Sequence, residues 1–325
     1  MTHEESVKIG FEINMIEFNH FPVMKNEAME HIGVKPDGIY ADLTLGGGSH
    51  SLELAKIVVN GKIIGIDRDA EAIEYCKRKL IDYKDKIIFV KDNYANIKNI
   101  INNLGYEKID GALMDCGVSS RQIDEESRGF AYSHGDSALD MRMDREQNLT
   151  AADIINNYSR EKLLDMAYKY GEEKYAGLIV KEIIKKREVK RIETTRELSE
   201  IIKYAVRGVN YKGGHPAKRF YQAVRIIVNE EIINIGPAID SIVELLNTGG
   251  RCVALSFHSI EDREIKRAFT KHEKACSCPV GLPVCRCGGK AEVKIITKKP
   301  IVAGDDEMRE NPRSTSAKLR IGEKI

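Results

Sequence analysis

No run of apolar residues in this chain is long enough to span a bilayer, so a helical membrane protein is excluded at once. Net charge is also lacking. The 51 Lys and Arg against 50 Asp and Glu leave +1 at neutral pH, so there is no global pull toward a polyanion. Any nucleic-acid contact must come from local patches. Internal repeats and low-complexity tracts are missing, and tryptophan is absent, which excludes little. Met1–Glu12 is polar and charged and gives no expectation of a secretory signal. What remains is a soluble, cytoplasmic chain of 325 residues, long enough to bury a large core in roughly one to three domains.

Seven cysteines are unevenly placed. Cys76, Cys116 and Cys252 stand alone in apolar settings, where a reduced, buried thiol is expected. Cys276, Cys278, Cys285 and Cys287 form two C-x-C pairs across a Pro- and Gly-containing loop. Their spacing departs from the usual structural-zinc pattern, so the set reads either as a local staple or as free thiols, and no metal is assigned.

The most informative stretch is Ala41-Asp42-Leu43-Thr44-Leu45-Gly46-Gly47-Gly48-Ser49-His50, answered by Ile63-Ile64-Gly65-Ile66-Asp67. An apolar strand enters a glycine turn and a helix, and a second strand ends on an acid. Glycines let backbone N–H groups approach a ligand at a helix N-terminus. An acid about 20 residues on can take the two hydroxyls of a ribose. Ser51 stands where a dinucleotide fingerprint has its third glycine. The spacing therefore favours S-adenosylmethionine, which has a ribose but no pyrophosphate. A dinucleotide, or a glycine turn that binds nothing, stays open.

From Gly33 to Asp115 strands and helices alternate, with strands at Gly38–Thr44, Lys62–Asp67, Ile87–Val90 and Ile109–Asp115. These continuous apolar runs predict a mostly parallel, doubly wound α/β sheet covered on both faces. Their carboxyl ends, Thr44–Gly48, Asp67, Asp92–Tyr94 and Asp115–Gly117, converge where such sheets bind cofactors. Residues 123–214 read as loop and then helix throughout, with a capping box at Thr194 and Glu197. The organisation expected is a core in two parts, 1–122 and 215–325, with a helical insertion between them. A long helix over Ala217–Ile235, another over Pro237–Leu246, a strand at Arg251–Phe257 and two late strands complete the reading.

Several residues are placed for chemistry. Asp115, with the turn after it, can hold an exocyclic amine whose lone pair is conjugated into a base; it can equally bind the cofactor's amine or cap the turn. Arg142, within Asp140–Asp144, reads as a phosphate clamp or an ion pair, the latter favoured. His215, Lys218 and Arg219 at a helix start point to a bound anion or to an acid from the loops. Phe130, Tyr132 and Phe220 are candidates for stacking on a base or for the core. His258 is a candidate proton acceptor or a structural partner of Glu261 or Asp262. The run from Lys181 to Arg191 is a solvated face or a track for a phosphate backbone.

The ordered set of motifs resembles the ribosomal RNA small-subunit methyltransferase H family, also called MraW. It runs from His20-Phe21-Pro22-Val23-Met24 through Asp42–Ser51, Asp67-Arg68-Asp69, Asp115–Gln122, Arg128-Gly129-Phe130 and Leu139–Asp144. It continues with His215-Pro216-Ala217, Ser256–Ser259 and Asn311-Pro312-Arg313. The resemblance covers His20 to the C-terminus. It implies a class I S-adenosylmethionine-dependent methyltransferase sheet with an inserted helical domain. It also implies N4-methylation of a cytidine in the decoding region of bacterial 16S rRNA, within the small ribosomal subunit. Carried over by position, the donor is held by Gly48, Ser49, His50, Asp67, Tyr94, Asp115 and Gln122, with Asp115 also the catalytic acid. The family usually has Gly-His at Ser49-His50, often Leu-Gly at Cys116-Gly117 and Pro-Gln at Arg121-Gln122, and commonly Phe at Tyr94. Two rivals belong to other classes: a DNA amino-methyltransferase, and an RNA-binding assembly factor that keeps the donor fold without turnover.

Overall fold

The computed structural model describes residues 22–132, 136–211, 214–274 and 289–325. His20, Phe21 and the cysteines Cys276, Cys278, Cys285 and Cys287 lie outside them. After helix α1 (Lys25–Ile32) the chain alternates through β1 (Ile39–Asp42), α2 (Ser49–Ile57), β2 (Lys62–Asp67), α3 (Ala70–Lys79), β3 (Ile87–Lys91), α4 (Ile97–Asn103) and β4 (Ile109–Asp115). Helices α5 (Ser120–Asp124), α6 (Ala151–Asn157), α7 (Arg160–Gly171), α8 (Ala176–Arg187) and α9 (Thr195–Ala205) follow. Then come α10 (Lys218–Asn229), α11 (Glu231–Leu245), β5 (Leu246–Ser256), α12 (Ser259–Glu273), β6 (Val293–Ile295), β7 (Ile301–Val302), α13 (Asp305–Glu310) and β8 (Lys318–Lys324).

The strands form one sheet in the order β3-β2-β1-β4-β5-β8-β6, with β7 also paired to β8. β1 to β5 run parallel, and β8 is antiparallel to its neighbours. Ile63, Ile64 and Ile66 of β2 and Ala112, Leu113 and Met114 of β4 are buried on both faces, as the unbroken apolar runs require. The doubly wound α/β architecture is therefore present. Strand order reverses between β1 and β4, which opens a crevice beyond their carboxyl ends.

The expected helix over Ala217–Ile235 is instead two helices. Glu230 takes a left-handed φ of 53° between α10 and α11. Buried Asn229 explains the break: its amide donates to the Met141 carbonyl at 2.8 Å and accepts from the Met143 N–H at 2.8 Å. Those bonds hold the corner where the helix would otherwise continue. Pro237, read as a helix start, lies inside α11. Its missing N–H costs one bond, and the carbonyl four residues back belongs to exposed Ile233. The capping boxes at α6 and α9 are built by Thr150 with Asp153 and Thr194 with Glu197.

One apolar cluster joins the sheet to the inserted helices. It passes from Ile64, Ile66, Ala112 and Met114 through Ile239 and Phe220 to Ile154, Leu163, Ile179 and Leu198. A second cluster, with Tyr40, Leu54, Ile63, Val253 and Ile321, fills the other face.

Candidate active site

The glycine turn at the end of β1 is held from below by an acid. Asp42 is buried, and its carboxylate accepts the Ser51 hydroxyl at 2.6 Å and the Thr44 N–H at 3.3 Å. Burial pushes the Asp42 carboxyl above its ordinary value, with the His50 ring opposing. Ser51, in the place of a dinucleotide fingerprint's third glycine, is thus a tether between helix and strand. Gly46 and Gly48 have φ of 50° and 70°. A Cβ at Gly48 would meet Cys76 Sγ at 2.9 Å and Leu80 Cδ1 at 3.0 Å, so this position requires glycine twice over. At Gly47 nothing lies within 4 Å of where a Cβ would point. Lys79 closes one flank, donating to the Gly47 carbonyl at 2.7 Å and to the Ser49 hydroxyl at 3.4 Å.

Asp67, at the end of β2, accepts the Gly46 N–H at 2.7 Å on one oxygen and the Asp69 N–H at 2.9 Å on the other. Burial raises its carboxyl to about 6, against those two N–H groups. Each oxygen keeps a further lone pair for a ligand hydroxyl. Asp69 is a buried hub. One oxygen caps α3 through the Glu71 N–H at 3.0 Å; the other accepts Gln122 Nε2 at 3.0 Å and Arg128 Nη1 at 2.7 Å. Gln122 Oε1 accepts the Ser119 N–H at 3.0 Å, completing a capping box at α5. Buried Arg128 also donates to the Arg142 and Met143 carbonyls, each at 3.0 Å, so the hub ties the inserted segment to the cofactor edge.

Asp115 ends β4 across the crevice. Its N–H donates to Thr44 Oγ1 at 2.7 Å, which fixes the strand end to the glycine turn. His50 Nδ1 stands 3.7 Å from Asp115 Oδ2, while His50 Nε2 lies 3.3 Å from the Val23 carbonyl. Asp115 Oδ1 is buried with no hydrogen-bond partner among the described residues. Burial raises the carboxyl to about 6; His50 opposes this, and Asp42 and Glu261 add to it. An unpartnered buried carboxylate oxygen is costly, so this one points to a donor that arrives with a ligand. Tyr94 opens the turn after β3. Its hydroxyl donates to the Glu231 carbonyl at 3.1 Å, and burial pushes the phenol well above its ordinary value. The ring, not the hydroxyl, is what Tyr94 has to offer.

Gly48, Asp67, Tyr94 and Asp115 thus lie at or just beyond the carboxyl ends of the parallel strands, with Ser49 and His50 on α2 and Gln122 on α5. Other candidates resolve into structure. His258 caps α12: its Nδ1 accepts the Glu261 N–H at 3.3 Å, and Nε2 is in ion-pair range of Glu261 Oε1 at 3.1 Å. Burial pushes buried Glu261 up, but His258, Arg225 and the Phe257 N–H outweigh it and hold the carboxyl low. Arg142 is bound to Asp140 and to the carbonyls of Arg145 and Gln147, so it clamps its own loop. Phe130 and Phe220 are core residues; Tyr132 is half-buried and stacks on His215 with centroids 4.6 Å apart. Arg187 bonds the Ile155 carbonyl, and Lys190 and Arg191 pair with Glu197 and Asp153. Cys76, Cys116 and Cys252 are buried free thiols, as expected. Sequence reasoning does not pick out Asp42, Thr44 and Asp69 as site residues. Their signal is position alone: Asp42 and Thr44 bracket the end of β1, and Asp69 follows Asp67 by two.

A crevice at the strand-order reversal, a glycine turn on an acid, a carboxylate at the end of β2 and an acid across the gap with one unpartnered oxygen form a methyltransferase-type cofactor site on a doubly wound sheet. The family follows from comparison. Residues 17–325 match the model of the MraW methylase family, and the chain belongs to that family. It is 47% identical over 311 residues to ribosomal RNA small subunit methyltransferase H 2 of Agathobacter rectalis, covering 95% of this chain and 99% of the relative. It is 48% identical over 313 residues to ribosomal RNA small subunit methyltransferase H of Finegoldia magna, covering 95% and 100%. Among solved structures, a putative rRNA methylase from Clostridium thermocellum aligns over 93% of this chain and 95% of its own, at 13% identity and a TM-score of 0.44. No described helix is long and apolar enough to cross a membrane.

Proposed function

We propose that this protein methylates small-subunit ribosomal RNA with S-adenosylmethionine as donor, and that its target is the N4 amine of a cytidine in the decoding region of 16S rRNA. Two relatives named for small-subunit rRNA methylation, each matched over nearly its full length, support the substrate class. The observation that carries the chemistry is Asp115 Oδ1, buried and unpartnered at the crevice. A cytosine amine is a poor nucleophile because its lone pair is conjugated, and it presents two N–H donors. A carboxylate on a strand end whose backbone is fixed by Thr44, and faced by His50, can take one of them and hold the nitrogen in line.

The bound donor supplies an electrophilic sulfonium methyl. In this reading Asp67 takes the ribose hydroxyls and the Tyr94 ring lies against the adenine. Gly48, Ser49 and His50 bring the turn's backbone close, and Gln122 shapes the wall opposite through Asp69. The insertion, 123–214, recognises the RNA. Orientation supplies most of the rate, and strong general-base catalysis is not needed because the methylated product nitrogen is acidic.

The test is transfer of labelled methyl to small subunits lacking the modification, with nucleoside analysis and Asp115→Ala beside the wild type. N4-methylcytidine that vanishes in the variant supports the reading. Label in DNA instead would replace it with a DNA amino-methyltransferase, and tight donor binding without transfer would leave an assembly factor.

A further inference from the structure

Away from the crevice, the end of α7, the start of α8, the segment after α9 and the start of α10 enclose a small cleft. Lys174, Tyr175, Asn210, Tyr211 and Arg219 line it around about 150 Å³ of open space. That is the size of cavity that accepts a single six-membered ring.

The cleft is built rather than incidental. Glu173 is fully buried and has no ion pair among the described residues. Its two oxygens are spent on the two tyrosines: one accepts the Tyr211 hydroxyl at 2.6 Å, the other the Tyr175 N–H at 2.8 Å. The rings sit 5.6 Å apart, tilted by 42°. Burial, then Glu173, keeps the Tyr211 phenol neutral and donating. At the rim Arg219 spends one N–H on the Glu172 carbonyl at 3.3 Å, and exposed Lys174 has no partner among the described residues. Two aromatic rings beside two cations match a nucleotide: a base for the rings, a phosphate for the charges. An acidic peptide would use the cations and leave the rings idle.

A hydrogen bond also links the segment beside the cleft to the start of α12. Ser259 donates to Glu172 Oε2 at 3.0 Å. Ser259 follows the end of β5 by three residues, where Phe257 and Glu261 face Gly117 beside Asp115.

We propose that this cleft holds one nucleotide of single-stranded RNA flanking the methylated base, its base against Tyr175 and Tyr211 and its phosphate on Lys174 and Arg219. The substrate being RNA rests on the function proposed above.

The experiment measures binding of a short fluorescent single-stranded RNA to the full chain across a salt series, for wild type, Lys174→Gln/Arg219→Gln and Lys174→Arg/Arg219→Lys. The neutral pair should weaken binding about tenfold and flatten the log-affinity against log-salt slope by about 0.7, the value for one phosphate left without its cations. The charge-conserving pair should restore both, with thermal melting unchanged throughout. RNA carrying 4-thiouridine should crosslink to the peptides bearing Tyr175 or Tyr211. Unchanged affinity and slope in the neutral pair, or crosslinks only elsewhere, overturns the cleft. So does a free nucleoside monophosphate competing as strongly as the RNA, which would make this a small-molecule site. Methyl transfer separates the two readings. Intact transfer with an unmoved KM in the neutral pair sinks the cleft alone; absent transfer with salt-dependent binding through these residues sinks the cytidine reading alone.

Discussion

His50 and Asp115 face each other with 3.7 Å between Nδ1 and Oδ2, and the far ring nitrogen of His50 lies 3.3 Å from the Val23 carbonyl. A carbonyl only accepts, so Nε2 carries a hydrogen toward it, and the ring favours the Asp115 carboxylate through the positive charge it holds when Nδ1 is protonated as well. The ring therefore biases the charge of the carboxylate proposed to hold the substrate amine. Burial pushes that carboxyl to about 6, Asp42 and Glu261 add to the rise, and His50 opposes it. Methyl transfer, which needs the ionised acid, is expected to rise through about pH 6. In His50→Ala the acidic limb should move up by about one unit, read from kcat/KM across pH. A limb that stays in place would show that the ring does not act on Asp115.

The same acid should cost stability. Its ordinary value is 3.8 and its folded value about 6. Below about pH 4 both folded and unfolded chains hold the proton and nothing is at stake. Above about pH 6 the folded chain keeps an ion it resists, at up to about 3 kcal/mol. Asp115→Asn should therefore melt a few degrees higher than wild type at pH 8 while losing transfer, and the gain should shrink at pH 5. Thermal melts at both values check it; a variant less stable at pH 8 would contradict the assignment of burial as the dominant cause.

Gly48 answers to two constraints, a left-handed φ and the Cys76 sulfur 2.9 Å from any Cβ. Gly48→Ala should cost about 1–3 kcal/mol in urea denaturation and weaken donor binding in calorimetry. Adding Cys76→Ala should recover part of the loss, because it removes the sulfur contact and leaves the φ and Leu80 Cδ1 at 3.0 Å. Full recovery would mean that backbone strain contributes nothing.

Arg128 is expected to matter far more than its neighbour Arg145. Arg128→Met leaves the Asp69 carboxylate buried without its cation and should cost about 3–5 kcal/mol, with weaker donor binding because Asp69 also positions Asp67. Arg145→Ala, which removes an exposed pair with Glu71 at 3.3 Å, should cost under about 1 kcal/mol. Equal losses in denaturation would refute the hub.

Sequence reading succeeds here where one local pattern decides. β2 and β4 are legible to the residue because parallel strands are unbroken apolar runs that stop at an acid. Thr194 with Glu197 announces α9 for the same reason. What stays hidden depends on partners far along the chain. Arg128 meets Asp69 across 59 residues, a distance that no periodicity records. The corner at Glu230 is set by Asn229 reaching back to Met141 and Met143, while the apolar pattern itself runs straight through. His258 reads as a base until its own helix is seen to cap on Nδ1, with Nε2 only in ion-pair range of Glu261.

The apolar cluster that passes unbroken from β2 and β4 into α6–α9 makes the helical block inseparable from the catalytic sheet. It is no cartridge to be grafted elsewhere. Excised, it would expose Ile154, Leu163, Ile179 and Leu198, and α10 left behind would lose the helices packed against it. The outward faces of those helices are free to vary, while their inner faces must keep step with the helices and strands behind them.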